Sequence, residues 1–201
     1  MIRPNMPPLL RAAGYLPAYN NPGPSKTVPY LGTDHTVRTM IDLAKGPRGE
    51  QSIKVRRHTE QIIKNVRPKD YASELIAICK WWGNAGRYTR DPLHVELVKD
   101  PERMVDDSQM GILTLDCDEF ACAIGACCLA IGADVNFVTV GFKPRFPGMP
   151  RIHTHVFARA QDPRTKAWYV LDPVAGRRTG RMLSRVQQYT IFDMDGGVSH
   201  G

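Results

Sequence analysis

Three side chains, met in chain order, have the types that nucleophilic acyl chemistry requires. Cys117 stands in the acidic stretch from Asp116 to Glu119, directly before Phe120–Ile131, a run without a charged residue. His155 follows in a run rich in β-branched and aromatic residues, and Asp172 closes Trp168–Asp172. A thiol is reactive as its thiolate, and a free thiol has a pKa of about 8.5. If Asp116 is the N-cap and Glu119 the third helical residue, the pair forms a capping box and Cys117 opens the helix. There the positive end of the helix dipole favours the thiolate. An imidazole could take the thiol proton and later give it to a leaving amine. A carboxylate behind it would fix the tautomer and stabilise the imidazolium. Asp118 and Glu119 oppose this, because neighbouring negative charge raises a thiol pKa.

Two strands must bring the histidine and the aspartate together. The β-branched and aromatic run Val135–Phe142 reads as one strand, with further strands at about 152–161 and 166–172. If 162–165 is a four-residue loop, Gln161 pairs with Lys166 and His155 pairs with Asp172. Opposed residues share a face, with Cβ atoms about 4.5–5.5 Å apart. Phe157 with Val170, and Arg159 with Trp168, then share that face. His153 is on the same face and is the second candidate base, but no carboxylate is matched to it. Cys117, His153 and His155 are also zinc-ligand types. No CxxC spacing accompanies them, so neither a metal nor a cofactor is expected. Gln109 is the candidate for a side chain that would hold an oxyanion.

Upstream, apolar spacing predicts a short helix through Val37, Met40, Ile41 and Ala44, a second at about 51–66 and a third at about 69–85. Residues 87–115 carry no clear pattern beyond turns at Asp91-Pro92 and Asp100-Pro101. The helix after Cys117 is apolar all round, so it must be covered on every side. That also accounts for Cys122, Cys127 and Cys128 as buried thiols. Five cysteines is an odd count, which argues against a disulfide framework. Trp81, Trp82 and Trp168 read as core or interface residues.

Charge divides the chain. Residues 1–69 hold 12 Lys/Arg against 4 Asp/Glu, and the rest hold 15 against 16, so the net +7 belongs to the first third. Residues 1–31 hold seven of the sixteen prolines and read as an extended arm, since proline fits neither a helix interior nor a central strand. Such an arm could contact a neighbouring subunit, its own domain or nucleic acid; nucleic acid rests on charge alone. Arg177, Arg178, Arg181 and Arg185 read as a solvated face or an anion-binding rim. No apolar run reaches roughly 18 residues, so no membrane-spanning helix is expected, and the first residues lack the apolar core of a signal peptide.

Asp116-Cys117-Asp118 opening a buried helix, Thr154–Phe157, and Trp168–Pro173 together resemble the transglutaminase-like superfamily. Arg90-Asp91-Pro92, Asp100–Arg103 and Phe137–Phe142 add a similarity to small transglutaminase-like proteins of tailed phages and prophages. The resemblance spans about 70–175. It implies a papain-like fold in which Cys117 is the nucleophile, His155 the base and Asp172 the orienter. Leu115 stands where the family usually has glycine, and Arg159 where it usually has glutamate.

The expected fold class is α+β: a buried helix carrying the cysteine, packed on an antiparallel sheet. The expected organisation is an arm at 1–31, a short helix and linker at 32–49, a transglutaminase-like domain at 50–192 and a loose tail at 193–201. The implied activity is cysteine-dependent acyl transfer on a peptide or protein amide. The alternative is a virion head, neck or tail component, with the arm reaching neighbouring subunits or a homo-oligomer partner. The implied location is the cytoplasm of an infected bacterium or the virion.

Overall fold

The computed structural model describes residues 25–28, 33–91, 96–142, 155–174 and 186–201. Five helices are described: α1 (Thr33–Lys45), α2 (Ile53–Ile63), α3 (Tyr71–Ala85), α4 (Pro101–Met110) and α5 (Cys117–Ala130). The strands are β1 (Ser25–Val28), β2 (Arg87–Tyr88), β3 (Glu96–Lys99), β4 (Thr114–Leu115), β5 (Asp134–Phe142), β6 (His155–Gln161), β7 (Trp168–Leu171), β8 (Val186–Asp193) and β9 (Val198–His200). The fold is α+β, as expected. An antiparallel sheet runs in the order β7-β6-β5-β8-β9, and two small sheets pair β1 with β3 and β2 with β4.

The charge-free run explains the layering. α5 has no solvent face, so α1, α2 and α3 pack against it from one side while β5 and β6 cover the other. Trp82, Met40, Leu75, Ile78, Ile124 and Phe137 are fully buried in that shared core. Strand alternation sends Val156, Ala158 and Ala160 toward the helical side. It sends Phe157 to a smaller cluster with Val138 and Val140.

Three expectations need correcting. First, the β6–β7 register is offset from the predicted one: Gln161 pairs with Trp168 and Ala158 with Leu171. The loop therefore runs from Asp162 to Ala167. The Asp162 carboxylate accepts the amides of Arg164 and Thr165, and Lys166 takes a left-handed φ of 59°. Continuing the register puts Asp172 level with Phe157. That is a shift of two residues, which keeps His155 and Asp172 on one face; a shift of one would have separated them. Second, residues 193–201 are no loose tail. β9 pairs with β8, and Lys45 of α1 donates to the Met194 carbonyl at 2.8 Å. Third, the boundary at 49/50 divides nothing physical, because Val37, Met40, Ile41 and Ala44 of α1 belong to the core of α5. Of the arm, Ser25–Val28 docks on Glu96–Lys99; residues 1–24 and 29–31 lie outside the described residues.

Gly125 sets how closely α5 approaches the sheet. A Cβ there would come within 2.8 Å of the Phe137 ring, which is fully buried. Gly125→Ala gains about 1 kcal/mol in helix propensity. Overpacking a ring that has nowhere to move costs about 1–3 kcal/mol. Urea unfolding should therefore show a net loss of stability, and a gain would mean the ring can yield.

Candidate active site

The first turn of α5 is built as its sequence suggests. Asp116 is extended, at φ −98° and ψ −162°, and its side chain accepts the Glu119 amide at 3.1 Å. The Glu119 carboxylate accepts the Asp116 amide in return, at 3.2 Å. Behind this box stands Lys99, at the end of β3. Its ammonium lies 3.0 Å from Glu119 and donates to the Thr114 carbonyl at 2.7 Å. Burial outweighs Lys99 and lifts the Glu119 carboxyl to about 7.

Cys117 is half-buried, with its thiol near the backbone N–H of Val156, the residue after His155. The start of α5 thus meets the start of β6. The thiol is pushed up to about 12, first by burial and then by Asp118 and Asp116; the Val156 and Cys117 amides pull the other way. Of the two opposed effects visible in the sequence, the acids and burial win over the helix terminus.

His155 Nε2 lies 2.8 Å from an Asp172 carboxylate oxygen, and both residues are buried. The other Asp172 oxygen accepts the Val174 amide at 3.0 Å. Two bonds thus fix the carboxylate, and Nε2 is the nitrogen that faces it. Gly83 of α3 supports this corner, since a Cβ there would lie 2.8 Å from the Pro173 Cβ.

Other candidates fall elsewhere. Gln109 lines a groove of about 490 Å³ with Ile53, Lys54, Arg57, His58 and Gln61, away from Cys117, His155 and Asp172. His153, Arg177, Arg178, Arg181 and Arg185 lie outside the described residues. Cys79, Cys122, Cys127 and Cys128 are buried free thiols, and Trp82 Nε1 donates to Cys127 Sγ at 3.4 Å. Leu115 is fully buried, paired with Tyr88 across β2–β4. Arg159 donates twice to Asn136 Oδ1, at 3.0 and 2.8 Å, and lies 4.4 Å from the Trp168 ring centroid. Lys99 and Tyr88 come from the patternless stretch 87–115, so sequence reading missed both. The signal for Lys99 was its place just before the Asp100-Pro101 helix start.

No protein-family model matches the chain, and no curated protein matches it. Solved structures do. A candidate cysteine protease from Cytophaga hutchinsonii aligns over 87% of this chain and 56% of its own, at 17% identity and a TM-score of 0.47. A candidate protease from Parabacteroides distasonis aligns over 83% of this chain and 30% of its own, at 12% identity and a TM-score of 0.54. The fold is papain-like and transglutaminase-like. Rad4–Rad23 bound to a 6-4 photoproduct UV lesion aligns over 83% of this chain and 42% of its own, at 12% identity and a TM-score of 0.41. The chain spans about half or less of the length of these structures. Identities this low speak to fold and not to chemistry.

Two measurements probe the electrostatics. Glu119 holds its proton more tightly when folded, its carboxyl rising from 4.5 to about 7. The stability this proton provides is full below the unfolded value and is lost as pH rises through the folded one. Glu119→Gln should therefore flatten the stability–pH curve across that window; an unchanged slope would place the titration elsewhere. Asp118→Asn removes the largest charge acting against the thiolate. Iodoacetamide labelling of Cys117 at pH 8 should speed up several-fold, and an unchanged rate would show that burial and Asp116 hold the proton without it.

Proposed function

We propose that this chain is a cysteine-dependent acyl-transfer enzyme acting on a peptide or protein amide. The reading rests on one observation: the buried His155–Asp172 hydrogen bond at 2.8 Å stands at the start of β6, where the next amide reaches the Cys117 thiol. Cys117 is the nucleophile, His155 the general base and Asp172 the residue that orients it. With Nε2 turned to Asp172, Nδ1 is the ring atom that exchanges a proton with sulfur. The thiol is held protonated in the resting protein. The proton therefore leaves sulfur as the sulfur–carbon bond forms, not before. His155 then delivers it to the departing amine, leaving a thioester. Water or a second amine takes the acyl group, and hydrolysis is the simpler outcome.

Cleavage of a peptide-amide library tests this. Cys117→Ser and His155→Ala should abolish turnover, and Asp172→Asn should lower kcat by roughly 10³–10⁴-fold. Wild-type turnover that survives Cys117→Ser would overturn the reading. Incorporation of a labelled primary amine, against release of free acid, separates cross-linking from hydrolysis.

A second reading is favoured by the thiol held up to about 12. On it, the domain is a phage-type scaffold in a head, neck or tail, carrying an idle triad and reaching its neighbours through residues 1–31. It expects Cys117→Ser to leave particle assembly intact while no amide is turned over by the wild type.

A further inference from the structure

β2 and β4 pair in parallel, with Tyr88 opposite Leu115, and the Thr89 amide donates to the Leu115 carbonyl at 2.9 Å. Tyr88 is thereby fixed beside the chain two residues before Cys117. Unlike the other aromatic residues around α5, it is not absorbed into the core: 44% of it is exposed, against 0% for Trp82 and 3% for Phe120. Its phenol interacts electrostatically with Cys117 and Asp116, and the Arg90 guanidinium acts on it from close by. A guanidinium has donors only, so toward Arg90 the phenolic oxygen can only accept and its own O–H remains to be donated. Burial keeps the phenol above its ordinary pKa, so it carries that proton throughout the neutral range.

Resting on the acyl-transfer reading above, we propose that Tyr88, braced by Arg90, is a further catalytic residue that donates its phenolic O–H to the carbonyl oxygen of the bound amide. As Cys117 sulfur attacks the carbonyl carbon, the π electron pair moves onto oxygen. That oxygen accepts from Tyr88 Oη–H and from the Cys117 amide. The thiol proton passes to His155 and on to the amine nitrogen as the carbon–nitrogen bond breaks, and the oxygen pair returns to reform the thioester carbonyl. Neither Tyr88 nor Arg90 gains or loses a proton over the cycle.

A peptide aldehyde provides the test, because its hemithioacetal with Cys117 places an oxygen where the oxyanion develops. Affinity for the aldehyde and the rate of iodoacetamide alkylation, which passes through no oxyanion, are measured together. Tyr88→Phe should weaken aldehyde binding at least tenfold and leave alkylation within about twofold. In peptide turnover, loss of one such donor is worth about 10²–10³ in kcat. Arg90→Gln should fall between wild type and Tyr88→Phe. Equal aldehyde affinity in wild type and Tyr88→Phe would overturn the Tyr88 assignment alone. A parallel fall in alkylation would assign Tyr88 a structural part and also overturn it. No adduct with wild type would instead overturn the acyl-transfer reading on which it rests.

Discussion

The clamp of Lys99 on Glu119 decides where the central helix begins, and the rest of the molecule is arranged around that start. Glu119 is almost completely buried, yet it caps Asp116 and so must keep a polar partner. Lys99 supplies one from a different strand. Removing Glu119 would leave the largely buried Lys99 ammonium without its carboxylate, which costs more than the pair contributes. The clamp ties β3 to the first turn of α5. Because α5 is covered by helices and by the sheet, it also sets where Cys117 sits against β6.

Charge around the thiol follows from the same construction. Carboxylates that cap the helix are stabilising at its N-terminus. They also discourage the cysteine between them from losing its proton. Helix start and thiolate draw on one electrostatic region with opposite needs, and in the resting protein the helix start prevails. His155 and Asp172 belong to a different layer, and their bond is held by strand parity and by the Pro173 corner against Gly83.

Much of this was legible in the sequence, for identifiable reasons. The α5 capping box has fixed spacing, and the charge-free run after it allowed one environment. β5 and β6 were readable from their β-branched residues. The shared face of His155 and Asp172 survived an error in loop length, because parity is more robust than register. What escaped was non-local. No pattern near Lys99 or Tyr88 announces a partner twenty or more residues away, and β2 and β4 are too short to show a period. The pairing of β9 with β8 was missed because its three residues have no apolar alternation; it is held by backbone bonds and by Lys45.

The ribbon of β1 and β3 has a mechanical side. Its first pair joins Ser25 to Lys99, the residue that clamps Glu119. A load applied to the chain ahead of Ser25 is therefore borne first at Lys99, and through it at the first turn of α5. Tension on the amino-terminal segment and the alignment of the cysteine helix thus meet at Lys99.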